Sequence, residues 1–421
     1  ARPRTQAEIE PDDISAALRE SMDYYRAQLK AAPRAIDYLK ARGLDGKICA
    51  RFGIGYAPDA WQNLTAVFPD YSAKLLKEAG LVIDSDSGRR YDRFRDRIMF
   101  PIFNQKGEVI GFGGRVIDAG DPKYLNSPET PVFEKGRELY GLTHARRAIH
   151  EAGKVVVVEG YMDVVALAQS GIDYAVATLG TATTPHHVQK LVRHAPQIVY
   201  CFDGDAAGHR AAWRALETSL PFVQDGRAIS FLFLPAEHDP DSYVRAHGRD
   251  GFEQALAKAT PLSSYLLDGL LQEHELKSDE GRAALLQAAK PLLQQIIAPM
   301  QSLMLRKRLA ELTGLARTEL DRLVGGAPTA PTVNRAPARV SRSAPSLAAR
   351  VTSLALARPN TARSVTLPVL YHADRDHQLL GSILEYLCAA GAGEVNLGAL
   401  YETLSAEGLG AGSKPEIGEA A

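Results

Sequence analysis

Between residues 154 and 234 four short, β-branched apolar runs alternate with amphipathic stretches, and carboxylates follow three of the runs. Val155–Val158 is continuous rather than alternating, the pattern of a strand buried on both faces as in a parallel sheet. Met162–Gln169 reads as a helix closed by Gly171, Tyr174–Thr178 as a strand and Pro185–Val192 as a helix. Gln197–Phe202 is a strand, Ala206–Leu220 a helix and Ile229–Leu234 the fourth strand. Strands alternating with helices predict a parallel sheet with right-handed crossovers. The fold class is therefore α/β, α+β over the whole chain.

The flanking regions differ. Residues 1–80 read as mostly helical, with Ile14, Leu18, Met22 and Tyr25 at helical spacing and a short helix from Ala35 to Arg42 that Gly43 stops. Ile98–Phe103 and Val109–Phe112 flank Asn104–Gly107 as a β-hairpin. Residues 252–324 return to helix. Gly325 to about Pro368 carries six arginines and no acid among Ala, Pro, Ser and Thr, and reads as a flexible linker. Helical periodicity resumes at 374–405 (Leu379, Ile383, Leu387).

A length of 421 residues allows two or three domains, and a net charge of -1 excludes a uniformly basic nucleic-acid coat. Cys49, Cys201 and Cys388 form no CxxC pair, so neither a cysteine-built zinc site nor a disulfide framework is expected, which suits a reducing cytoplasm. No apolar run approaches the ~18 residues of a membrane span. The first residue is Ala1 rather than Met, as in a processed or excised fragment.

The chemistry concentrates in the carboxylates. Glu159 follows the first strand, Asp203 and Asp205 the third, Asp239 and Asp241 the fourth. Ligands of open parallel sheets bind beyond the carboxyl ends of strands, so these clusters are expected to converge there. Crowded carboxylates either rise in pKa or are neutralised by a cation, and oxygen-only donors favour Mg²⁺ or Mn²⁺. Gly160, Gly204 and Gly208 permit close backbone approach beside the acids. An acid at a strand end is also an ordinary helix cap, and Asp205 is placed to cap the helix that follows it. From Arg89 to Arg147, twelve Lys/Arg stand against eight Asp/Glu. There Arg93, Arg95 and Arg97 alternate as they would on one face of a strand, a ridge suited to a phosphate backbone. GFGG at 111–114 lacks the Lys-Ser/Thr of a P-loop and is expected at a bulge or turn. His186 and His187 lack a third ligand and read as structural or solvated, and Cys201 as a buried thiol.

EGYMDV at 159–164 followed by DGDAAG at 203–208 resembles the Toprim fold of primases, topoisomerases and some nucleases. RFGIGYAPDAW, YDRFRDRIMFPI, GEVIGFGGRV, PKYLNSPET and EKGRELYGL, running in order through residues 51–142, resemble the polymerase domain of bacterial DnaG-type primases, with the likeness extending to about residue 325. The resemblance implies RNA primer synthesis on single-stranded DNA by two-metal nucleotidyl transfer, with ribonucleoside triphosphates as substrates. Glu159, Asp203 and Asp205 would be catalytic and metal-binding, with Asp239 and Asp241 supporting. Arg115, Lys123 and Asn126 would contact the nucleotide's phosphates, and Arg42, Trp61, Arg93, Arg95 and Lys135 the template strand.

It also implies a division into a basic catalytic-core subdomain (1–150), a Toprim metal-binding subdomain (151–250), a helical subdomain (251–325), the linker (326–370) and a partial helicase-binding domain (371–421). The replicative DNA helicase is the implied protein partner, through that last piece. The family's N-terminal zinc ribbon has no Cys/His counterpart before residue 50, so zinc is not expected in this chain. A monomer in the bacterial cytoplasm is expected, with no membrane partner. Two rivals remain open at this point. One is a topoisomerase or nuclease on the same fold, which in the former case needs an activated tyrosine where Tyr161 looks placed for packing. The other is a non-catalytic single-strand-binding component of the replication machinery.

Overall fold

A computed structural model describes residues 11–118 and 120–325. The linker and the helix expected around Leu379, Ile383 and Leu387 lie outside these residues. The chain divides into two units, 1–331 and 332–421, and the described residues belong to the first.

Helix α1 (Pro11–Lys30) buries Ile14, Leu18 and Tyr25 along one side, as their spacing predicts. Then follow α2 (Pro33–Ala41), with proline in its first turn where no N–H partner is needed, and α3 (Gly46–Arg51). The Asp45 carboxylate caps α3 by accepting from the Lys47 and Ile48 amides at 2.8 Å. Residues 52–80 are less helical than expected. They hold β1 (Gly55–Ala57), a 3₁₀ turn at Asn63–Ala66 and the short α4 (Lys74–Glu78), because Gly53, Gly55, Pro58 and Pro69 interrupt any helical run.

Strands β2 (Val82–Asp84) and β3 (Arg90–Asp92) pair with each other. The predicted hairpin is β4 (Arg97–Phe103) and β5 (Val109–Val116), and β6 (Tyr124–Asn126) completes an antiparallel sheet of order β1-β4-β5-β6. Strand β4 is apolar at successive positions because two cores sandwich it. Ile98, Phe100 and Ile102 face the larger core, whereas Met99 faces the smaller one with Phe112, Tyr25 and Leu18.

One expectation is met and one fails here. GFGG at 111–114 lies within β5 beside a bulge, where the pairing with β4 shifts from Ile102–Gly111 to Phe103–Val109, and its glycines make room for neighbouring side chains. Arg93, Arg95 and Arg97 do not share a face. The strand stops at Asp92, Asp96 has a positive φ of 46°, and each arginine turns its own way, with Arg97 buried and donating to the Gly114 carbonyl at 3.3 Å.

Helix α5 (Leu142–Ala152) leads into the central sheet, in which β7 (Lys154–Val158), β8 (Ala175–Ala177), β9 (Gln197–Phe202) and β10 (Ala228–Phe233) are parallel, as predicted. The crossovers are α6 (Tyr161–Gln169), α7 (Pro185–His194) and α8 (Ala206–Ser219). After α9 (Pro240–Ala257), a two-residue strand β11 (Thr260–Pro261) adds antiparallel to β10. It is too short to read from periodicity, and its proline is tolerated because the strand lies at the edge. Helices α10 (Leu262–Glu273), α11 (Asp279–Gln295), α12 (Pro299–Thr313) and α13 (Arg317–Val324) follow.

The spatial order is β11-β10-β9-β7-β8. From β7 the chain moves outward to β8, and from β9 it moves the opposite way to β10. The direction reverses between β7 and β9, which makes their carboxyl ends the switch point where open α/β sheets bind ligands.

The antiparallel sheet reaches the central one through Tyr161. Its ring stacks on Phe100 at 5.6 Å, and its hydroxyl donates to the Asn126 side chain at 2.6 Å. A Cβ on Gly113 would fall 2.5 Å from that ring. Gly113→Ala is therefore expected to displace Tyr161 and destabilise the chain by about 1–3 kcal/mol in denaturant unfolding, whereas Gly107→Ala, at an open turn, should leave the Tyr161 contacts intact. Equal stability of Gly113→Ala and the unaltered chain would show that this approach is not constraining.

Candidate active site

Glu159 leaves β7, Asp203 leaves β9 and Asp239 follows β10, three strands that are neighbours in the sheet. The acids raise one another. Partial loss of water, then the Asp203 and Asp205 charges, pushes the Glu159 carboxyl above its ordinary value. Burial, then Asp239 and Asp205, does the same to Asp203. Asp205 sits in extended backbone and accepts from the Gly208 amide at 2.7 Å, so it caps α8 while facing the other acids. A Cβ on Gly208 would lie 2.1 Å from the Asp203 carbonyl oxygen, so only glycine lets α8 begin this close to the acid. Asp239 caps α9 through the Ser242 amide at 2.7 Å. Although partial burial opposes it, that bond, the Ser242 hydroxyl, Arg42 and Arg245 hold its pKa below the usual range.

Asp241 is differently placed. It is 1% exposed, and its two oxygens meet Arg42 at 3.1 Å and Arg245 at 2.8 Å. Behind it lies Asp163, which accepts from the Gly160 amide at 3.1 Å and the Asp241 amide at 3.3 Å. Burial, then Asp239, pushes Asp163 up to about 8. Its place in the motif EGYMDV, one helical turn after Glu159, was the signal for it, but it was not among the residues singled out. Arg245, one turn after Asp241, was missed for the same reason.

These donors suit a hard cation, being oxygens whose mutual repulsion a divalent ion relieves. Among the described residues, however, no three His, Cys, Asp or Glu side chains converge tightly enough to enclose a metal ion. The acids are near enough to shift one another's pKa.

Joined to the acids through Arg42, which pairs with Asp241, is the basic wall. Arg115 is 5% exposed, with Tyr38 and Tyr124 rings 5.4 and 5.5 Å from its guanidinium. Its Nε and Nη1 are buried without a partner among the described residues, a costly arrangement that an anion would satisfy. Tyr38 also lies 5.8 Å from Arg42, so one ring backs both cations, and nothing in the sequence marked it. Asn126 ties the two sheets together. It accepts from Tyr161 and donates to the Leu179 carbonyl at 2.9 Å, and its own carbonyl accepts from Arg93 at 2.8 Å. Lys123 is exposed just before β6.

Trp61 is 65% exposed, with the Arg95 guanidinium 4.5 Å from its ring and Tyr91 edge-on at 5.3 Å. Lys135 stands apart on a loop whose carbonyl meets His187 Nε2 at 3.1 Å. His187 is buried and bonded also to the Thr184 amide at 3.2 Å, so its structural reading holds. Cys201 is buried as read. Tyr161 is buried, and burial raises its hydroxyl's pKa, which makes it a packing residue and not an accessible nucleophile.

A mostly parallel sheet with acids at its switch point, beside a basic wall, defines a Toprim-type protein of the kind that uses a divalent metal. Consistent with this, a Toprim-like family model matches residues 156–244. A model of the DNA primase catalytic core, N-terminal domain, matches 24–146. The chain belongs to the family of bacterial DnaG DNA primases.

A DNA primase of Neisseria meningitidis is 55% identical over 304 residues, which cover 72% of this chain and 51% of the relative. The chain thus spans about half the length of the curated relatives it matches. A crystal structure of a DNA primase domain from Pseudomonas aeruginosa is 49% identical with a TM-score of 0.71, covering 74% of this chain and 99% of that one. A DnaG primase catalytic domain solved bound to single-stranded DNA is 44% identical with a TM-score of 0.70, covering 73% and 98%. A DnaB-helicase binding domain of primase matches 263–318, upstream of the 371–421 stretch read above as partial helicase-binding domain, which lies outside the described residues. Among the described residues no helix is long and apolar enough to cross a membrane.

Because Asp163 is pushed up to about 8, it holds a proton near neutral pH, and a divalent ion beside it would favour release of that proton. Affinity for the ion should therefore rise from about pH 6 to 8, with net proton release near pH 7 seen by calorimetry in buffers of different ionisation enthalpy. Asp163→Asn should reduce that release. Binding without proton release would show that the acids are already ionised.

Proposed function

We propose that the chain synthesises short RNA primers on single-stranded DNA by nucleotidyl transfer, in which the 3′-hydroxyl of one ribonucleotide attacks the α-phosphorus of the next nucleoside triphosphate and pyrophosphate leaves. The observation that carries this reading is the adjacency of two opposite charge sets: acids at the β7–β9 switch point and, linked to them through Arg42 and the Tyr38 ring, the buried Arg115 with two donors that have no partner among the described residues.

Glu159, Asp203 and Asp205 would hold the cation, which we assign as Mg²⁺ or Mn²⁺ from the all-oxygen donors, with Asp239 and Asp241 supporting. Two such ions held there would supply a lowered pKa for the attacking hydroxyl and neutralisation of charge on the leaving group. Asp241 supports by fixing Arg42 and Arg245 beside the acids, so that the cluster does not carry unbalanced negative charge. Glu159, raised in pKa and open to solvent, is also suited to take the hydroxyl proton.

Arg115, Lys123 and Asn126 contact the triphosphate, and Asn126 also holds the wall in place through Tyr161 and Leu179. Arg42, Trp61, Arg93, Arg95 and Lys135 serve the template strand. The Trp61 indole, backed by Arg95 and Tyr91, is placed to stack on a base, and that stacking is sequence-tolerant. The 263–318 match supports the replicative helicase as a partner, and the reaction would run in the bacterial cytoplasm at the replication fork.

Asp203→Asn should lower dinucleotide synthesis by about 10²-fold or more while leaving template affinity unchanged. Incorporation of labelled ribonucleotides on a defined single-stranded template, with and without Mg²⁺, measures the first, and fluorescence anisotropy the second. Incorporation that persists in Asp203→Asn, or without any divalent ion, would overturn the assignment.

A further inference from the structure

Nucleotidyl transfer brings two nucleotides to Glu159, and the residues assigned above seat only the incoming triphosphate. A recess of about 340 Å³ also contains Glu159, a size at the small end of the ~300–1,000 Å³ range of small-molecule sites. It lies on the other face of the central sheet. Right-handed crossovers from β7 out to β8, and from β8 back past β7 to β9, put α6 on one face and α7 on the other. Asp163, Asp241 and Arg42 gather on the first face, where α6 packs on α9. The recess is walled by Ala211 and Arg214 of α8, which packs on α7. Glu159, exposed at the carboxyl end of β7, stands between the two.

The remaining wall is the loop from β8 to α7, with the sequence TLGTATT at 178–184. This loop is pinned at both ends. The Leu179 carbonyl accepts from Asn126 at 2.9 Å, and the Thr184 hydroxyl donates to the Gly136 carbonyl at 2.5 Å. Gly180 has a φ of 70°, and a Cβ there would lie 3.0 Å from Asn126 Nδ2, so a glycine lets the loop close on the nucleotide wall. Thr184 also accepts from the His187 amide and caps α7, so its hydroxyl is committed. The threonines that line the recess are Thr178, Thr181 and Thr183, of which Thr181 is exposed and Thr183 half-buried.

The lining carries one acid, Glu159, and one cation, Arg214, so it presents no net charge to a phosphate. It offers hydroxyls beside apolar surface from Val157, Phe202 and Ala211. A ribose has the matching composition, with a C–H face and vicinal hydroxyls. A threonine hydroxyl can donate to and accept from a 2′-hydroxyl, the group by which a protein tells RNA from DNA. We propose that this recess seats the ribose of the nucleotide whose 3′-hydroxyl attacks, and that Thr181 and Thr183 recognise its 2′-hydroxyl. The base stays outside to pair with the template. The inference rests on the primer-synthesis reading. It makes the chain selective for an RNA end on the strand that it extends, at a place separate from the Arg115 wall that receives the triphosphate.

Two primers annealed to one template, identical except for a ribose or a 2′-deoxyribose at the 3′ end, test this by single-nucleotide extension. The unaltered chain should favour the ribose end by about tenfold in kcat/KM, the discrimination lost with one hydrogen bond. Thr181→Val with Thr183→Val, nearly isosteric, should bring that ratio within about twofold of unity, and Thr181→Ser with Thr183→Ser should restore it. The choice between ribo- and deoxyribonucleoside triphosphate as the incoming nucleotide should not change. Equal extension of both primers by the unaltered chain, or full preference kept by the valine variant, overturns the proposal. A valine variant altered only in its choice of triphosphate would assign the recess to the incoming nucleotide and overturn it equally. No extension of the ribose-ended primer by the unaltered chain would instead overturn the primer-synthesis reading.

Discussion

Like-charge repulsion at the carboxyl ends of β7, β9 and β10 is the constraint around which the rest of the molecule is arranged. Acids on neighbouring strands raise one another, so the sheet beneath must be rigid enough to hold them together. That rigidity comes from strands buried on both faces, with Val155 to Val158 and Ile198 to Phe202 in the large core. Part of the charge is relieved within the protein. Asp241 is neutralised by Arg42 and Arg245, Asp239 is stabilised by helix capping, and Asp163 is protonated near neutral pH. What is left over, at Glu159 and Asp203, is the part suited to a divalent ion.

The basic wall has the inverse problem. A buried guanidinium with unpaired donors is unfavourable unless something anionic arrives, and Arg115 is tolerated because the Tyr38 and Tyr124 rings pack against it. Asn126 makes the two halves into one site. By binding Tyr161 and Leu179 with its side chain and Arg93 with its carbonyl, it sets the antiparallel sheet against the central one. The stored tension between an acid-rich ledge and an unpaired cation is what a metal–triphosphate substrate would resolve.

Much of this was legible beforehand because it depends on local pattern. The four parallel strands and their crossovers follow from periodicity, and the DGDAAG glycine from the need to start a helix against Asp203. Several features were misread or missed. The arginine ridge dissolved because Asp96 turns the backbone with a positive φ, which alternation in sequence does not reveal. Beyond the bulge at its start, GFGG has a second role that glycine pattern does not show: Gly113 and Gly114 clear space for Tyr161 and Phe94 from elsewhere in the chain. Tyr38 carries no motif, and its importance lies only in which cations fold over it.

Sequence by itself determined which residue types stand at strand ends, since strand length, helix start and acid spacing are set by neighbours a few positions apart. Tertiary structure alone decided how those acids divide their work. Asp241 is paired because Arg42, 199 residues away, reaches it, and Arg115 has two buried donors that no group among the described residues reaches. Burial and long-range partnership set the charge state of each group, and neither is encoded in the identity of the residue or its immediate neighbours.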